Sequence, residues 1–341
     1  MPHPIVLAVV VLDSLSVLLI LAAGLDALAV VLSWAPASPT ARQVRLERRA
    51  ESAALRARVA TFLFLASTLA FVLAVASVLP GIVPGAMCGT GVLQAMGGDG
   101  PQAFALRMAS VGVLGAWHLL DRLDRTRPEA PLITVSGRAI LLAIPLVTMA
   151  VWRTLDALRG LEGQGPVDCC SVVYDGVRNA GTSAGPDGTW LLPAVLVGAA
   201  ILVALGGAMA AVPRVARRPF TAQALAILAA GWIPAAAVVL VRDLSSYHYG
   251  VLAHHCPWCL FAGRHGAVGY PLFGALAVVA LDAGGAALAG TIGRRFPQLA
   301  RPVADRVRGA ALRVALAVLV FLVLGAGPAL LWRIRNGVWM G

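Results

Sequence analysis

The sequence predicts an all-α, polytopic integral membrane protein of about eight transmembrane helices, with short loops and both termini outside. Three observations carry this reading. First, 59% of the 341 residues are hydrophobic and only 13% are charged, against about 25% charged in an ordinary soluble domain. A soluble fold of this length has too little interior for so much apolar side chain, and a bilayer supplies the missing apolar solvent. Second, the apolar residues fall into runs of about 20, the length that crosses a bilayer. Third, arginine alternates between the loops that join those runs.

The runs are Ile5–Trp34, Val59–Leu79, Ala103–Leu120, Leu132–Trp152, Trp190–Val212, Thr221–Val241, Val268–Ile292 and Ala310–Leu331. Ala, Val, Leu and Gly dominate them, as suits helices that pack closely in lipid. The third run is the shortest and contains Arg107 and His118. Trp34, Trp152, Trp190, Trp332 and Trp339 lie near run ends, where aromatic belts form. Trp232 with Pro234 falls mid-run and predicts a kink. The N-terminus lacks the positive n-region of a cleavable signal peptide, so the first helix is expected to stay in the mature chain. No repeat or second soluble domain is evident, so residues 1–341 read as a single transmembrane helical domain.

All 27 basic residues are Arg, and the net charge is +11. Such a balance usually raises nucleic acid as a partner. Here the arginines sit in short loops, and orientation in the membrane explains them better. Segments 42–58, 121–131, 213–219 and 293–313 are the first, third, fifth and seventh loops, and they hold most of the arginine. Cytoplasmic loops carry such an excess, which places the odd loops inside. The segment 42–58 interleaves charges of both signs and is expected to extend a helix into the cytoplasm. The lipid bilayer is the expected partner, in a bacterial inner membrane.

All five cysteines, Cys88, Cys169, Cys170, Cys256 and Cys259, then fall in the outer loops 81–102, 153–189 and 242–267 or at their edges. An oxidising compartment outside the cytoplasm permits disulfides. The last of these loops is the richest. It contains His254-His255-Cys256-Pro257-Trp258-Cys259, with His248 before and Arg264 and His265 after. A Cys-x-x-Cys pair can close a small disulfide or grip one metal ion. Near a helix N-terminus, and beside imidazolium, its thiols are expected to gain thiolate character. Leu260 follows Cys259 where a c-type haem site needs His. A Cys₂His₂ site using His254 or His255 with His265 would suit copper(I) or zinc. Cys88 lies in a Gly-rich stretch beside Met87, either a buried thiol or a further ligand. Cys169 and Cys170 are adjacent, and each is expected to pair elsewhere or to relay electrons by thiol exchange.

Cys256-Pro257-Trp258-Cys259, facing outward at the start of a helix, resembles the active-site pair of membrane disulfide-forming oxidoreductases of the vitamin K epoxide reductase type. The resemblance implies a quinone acceptor, with Cys169 and Cys170 in the relay position by chain order. The core of that family has four helices, whereas eight are expected here. The expected function is therefore a membrane thiol–disulfide oxidoreductase on the periplasmic face, using Cys256, Cys259, Cys169 and Cys170 and acting on a periplasmic thiol protein. The alternative is a soft-metal (copper or zinc) binding or transport protein, with ligands from His254, His255, Cys256, Cys259, His265 and Cys88. A third reading is a non-catalytic subunit of a larger membrane complex, braced by disulfides.

Ionisable residues inside helices are costly and often functional. Asp26, mid-run, is expected to bond a neighbouring helix or to serve as a proton or ion site. Asp13 lies nearer the outer end of the same run. His118 and Asp121 share a helix face, Arg153 is expected to pair with Asp156, and Arg242 and Asp243 mark the end of the sixth run.

Overall fold

A computed structural model describes residues 3–35, 40–161, 190–218, 220–251 and 254–339. Among them are eight helices long and apolar enough to cross a membrane, and no strand. They are α1 (Pro4–Ser33), α2 (Ala41–Leu73), α3 (Asp99–Asp124), α4 (Ile133–Gly160), α5 (Leu191–Ala211), α6 (Thr221–Val239), α7 (Gly269–Arg295) and α8 (Ala300–Asn336). The chain is thus an all-α polytopic membrane protein. The charged segment after α1 does lengthen a helix: α2 starts at Ala41, where the Thr40 hydroxyl caps it by accepting from the Gln43 N–H at 3.3 Å. α8 gains a charged N-terminal stretch in the same way. Five-residue π turns follow α2 (Ala74–Val78) and α6 (Leu240–Leu244) and are not foreshadowed by the pattern of residues.

The helices form two compact units, residues 1–84 with 92–167, and residues 85–91 with 168–341. In the first, α1 packs on α2 and α4, and α3 on α4. Its core includes Ile20, Phe64, Leu114 and Trp117, all at most 2% exposed. Large apolar side chains also face outward, Leu25 at 74% and Phe62 at 72%; on spanning helices these meet lipid. In the second unit α8 packs on α7 and α5, and α6 packs on α7 and α5. Trp232 sits where α6 meets α5 and donates its indole N–H to the Val195 carbonyl at 3.0 Å.

Small residues set these contacts. A Cβ on Gly206 of α5 would lie 2.7 Å from the Ala311 carbonyl oxygen of α8, a backbone atom that cannot swing aside. A Cβ on the adjacent Gly207 would meet nothing within 4 Å. Gly206→Val is therefore expected to cost about 1–3 kcal/mol through overpacking, and Gly207→Ala to be neutral or slightly stabilising. Melting of the two purified full-length variants checks this; equal melting temperatures would contradict it.

Several ionisable groups of the spanning helices are paired. Asp26 accepts from Arg56 of α2 at 2.6 Å, so the bond to a neighbouring helix holds. Asp121 is gripped by Arg58 (2.9 and 3.0 Å) and Arg125 (2.8 Å). Arg242 and Asp243 pair at 2.8 Å. The expected Arg153–Asp156 pair does not form: Arg153 reaches Asp99 on α3 at 2.9 Å, and Asp156 lies 3.6 Å from Arg159. A partner on a facing helix displaced the neighbour on the same one.

The most enclosed network joins α1, α2, α3 and α4. Arg107 and Asp13 are both fully buried and form an ion pair. Arg107 also donates to Thr154 at 3.0 Å and to Ser67 and Thr68 at 3.3 Å each. The Ser67 hydroxyl donates to the other oxygen of Asp13 at 2.6 Å. Phe64 and Phe71 place their rings 5.4 and 4.9 Å from the guanidinium carbon, adding cation–π attraction. Nothing in the sequence joined Asp13 to Arg107.

Candidate metal centre

The second unit brings three of the five cysteines together. Residues 256–261 begin the construction: Pro257–Phe261 is a 3₁₀ turn, with Pro257 in its first position and the Cys259 N–H bonded to the Cys256 carbonyl at 3.2 Å. In a 3₁₀ helix the side chains at i and i+3 eclipse, so this turn puts both sulfurs on one side. Phe261 anchors it by stacking on Phe273 of α7, with centroids 5.3 Å apart. Tyr249 closes the other flank, donating its hydroxyl to the Cys256 carbonyl at 2.5 Å.

Cys88 supplies the third sulfur. Its Sγ lies 3.3 Å from that of Cys256, and the metal-ligating atoms of Cys88, Cys256 and Cys259 all fall within 4.8 Å of one another. Gly89 makes the approach possible: a Cβ there would be 2.7 Å from the Trp258 ring. The Thr90 hydroxyl lies 3.3 Å from the Cys256 sulfur. All three cysteines are buried, at 2–4% exposure.

Neighbouring thiols and burial set the electrostatics. Cys259 is pulled down by its hydrogen bond with Cys256, but a second bond with Cys88, burial and the Cys88 charge outweigh this, and the thiol is pushed up to about 11. A hydrogen bond from Arg264 offsets part of the rise. Burial also lowers His254, despite the opposing pull of Cys88, and lowers His265 with help from Arg264. The imidazoles therefore favour the neutral form. Cys259 thus lacks the exposed, low-pKa character of a reactive nucleophile.

Several sequence expectations change here. The Cys-Pro-Trp-Cys turn does not open a transmembrane helix, since α7 begins only at Gly269; the expected thiolate stabilisation by that helix's N-terminus does not apply. None of His254, His255 and His265 joins the three-sulfur group. His255 places Nδ1 3.1 Å from the Val241 carbonyl. His254 and His265 stand edge-on to Tyr249, with centroids at 4.5 and 4.7 Å. Met87, next to Cys88, is 73% exposed. Cys169 and Cys170 lie outside the described residues. Cys88, either a buried thiol or a further ligand on the sequence, lies with Cys256 and Cys259.

No protein-family model, curated protein or solved structure matches the chain. The fold and this centre define its class: a polytopic α-helical membrane protein with a buried three-cysteine cluster at one end of its second unit.

Proposed function

We propose that the protein binds a soft transition-metal ion through Cys88, Cys256 and Cys259, for storage, transfer or transport at the membrane. The observation that carries this reading is the convergence of a third, remote thiol on a Cys-x-x-Cys pair, with all three sulfurs buried and within 4.8 Å of one another. Thiolates select copper(I), zinc and iron–sulfur clusters. Structural zinc sites are almost always four-coordinate, whereas the three sulfurs that the described residues bring together, with no imidazole among them, suit three-coordinate copper(I). A bound cation would also remove the cost of ionising thiols in so dry a place, with Arg264 at Cys259 balancing residual negative charge. The arginine-rich loops support an orientation in a bacterial inner membrane that leaves this centre on the periplasmic side.

One observation favours a second reading. The 3.3 Å between Cys88 and Cys256 suits thiol–disulfide exchange, in which the two thiols lose two protons and two electrons to an acceptor such as a quinone and close a disulfide. Metal analysis of the full-length protein, purified without oxygen from copper-supplemented cells, separates the two. About one copper per chain is expected. Metal-free protein with Cys88 and Cys256 joined would overturn the metal reading in favour of exchange.

A further inference from the structure

We propose that the opposite, arginine-rich end of the second unit binds the phosphate of an anionic phospholipid. A cavity of about 680 Å³ opens there, where α6, α7 and α8 meet. Arg217 and Arg218, which follow the short helix Pro213–Ala216, line it together with Arg294 in the last turn of α7 and Arg301 at the start of α8. Among the described residues, Asp305 is its one acidic lining residue.

The charge balance is specific to this cavity. A second one, of about 550 Å³ in the first unit, is lined by Arg58, Arg125 and Arg127. Five carboxylates line it too, and Asp121 already holds two of those arginines. The cavity of the second unit, by contrast, is lined by four arginines from three chain segments and, among the described residues, by one carboxylate. The α8 N-terminus reaches the same cavity through Ala300 and Arg301, so the positive end of a 37-residue helix adds to the field. Guanidinium groups recognise phosphate oxygens in pairs. The deeper wall is apolar, with Val303 and Val307 buried on α8. A phosphate carrying a glycerol and acyl chains fits that polarity gradient better than free phosphate does, and basic pockets between spanning helices bind such headgroups.

The test uses the full chain in neutral detergent, with bound lipid counted by native mass spectrometry. The probes are phosphatidylglycerol, phosphatidylcholine and inorganic phosphate. Phosphatidylglycerol is expected to bind about tenfold or more tighter than phosphatidylcholine, and inorganic phosphate to displace neither. The R217Q/R218Q/R301Q variant is expected to lose the preference, and the corresponding triple Lys variant to keep most of it. If the triple Gln variant fails to fold, Arg301→Gln alone is expected to reduce the preference about threefold. Equal binding of the two lipids, or a preference that survives the Gln substitutions, overturns the proposal. Displacement of phosphatidylglycerol by millimolar phosphate assigns the site to free anions and overturns the lipid assignment.

Discussion

Replacing Cys88 with Ser is expected to abolish tight copper(I) binding, although Cys88 lies 168 residues from the nearest other member of the group. A lost outer-shell partner typically costs a metal site roughly 10–100-fold in affinity, and loss of one of three direct ligands is expected to cost more. Serine keeps the shape of the side chain but offers a hard, weakly acidic oxygen in place of a soft sulfur. The helices need not change, because the site rests on packing by Phe261, Trp258 and Tyr249 rather than on the sulfur itself. Titration of copper(I) against a colorimetric chelator gives the affinity, and melting of the metal-free protein reports the fold. Cys88→Ser binding copper as tightly as the parent would remove Cys88 from the site.

The second large effect lies in the first unit. Asp13→Ala is expected to destabilise the protein by about 3–5 kcal/mol, because it leaves the Arg107 guanidinium charged, buried and unpaired. Arg107 retains Thr154, Ser67 and Thr68, but these neutral oxygens do not cancel its charge. Removing both partners tests this account more sharply than removing one. A buried ion pair replaced by apolar side chains is often neutral in stability, so Asp13→Ala combined with Arg107→Met is expected to recover much of the loss. Thermal unfolding of the two variants in the same detergent decides it. A double variant less stable than Asp13→Ala alone would mean that the hydrogen bonds of Arg107 to α2 and α4 matter more than the charge pair.

The helices were legible in the sequence because a spanning segment needs a continuous apolar stretch that little else produces. Even the third run, with Arg107 inside it, proved a helix, since that charge is paired within the bundle. Helix ends were less legible: the extension of α2 through residues 42–58 was expected, whereas the run of α8 back through its arginine-rich start was not. The site was half legible. Cys256 and Cys259 announce themselves by spacing, and their 3₁₀ turn follows from Pro257. Cys88 did not, because its partners are remote in sequence and only packing brings Gly89 against Trp258. The histidines stand apart from the three sulfurs among the described residues. Their closeness in sequence suggested ligands, whereas the Val241 carbonyl and the Tyr249 ring occupy their surroundings. Asp13 and Arg107 were recoverable in principle: an acid and a base within the membrane seek each other, and their matching depths near the outer ends of two runs could have paired them.

The central claim is that Cys88, Cys256 and Cys259 act together as ligands. Thiol accounting tests it most directly: alkylation in intact cells before lysis, with and without a membrane-impermeant copper(I) chelator, followed by mass counting of labels at each cysteine. The account predicts that the three are shielded together and become labelled together once the chelator has acted. Shielding of only two of them, released by a reductant and unaffected by chelator, would show a disulfide in place of a metal and contradict it.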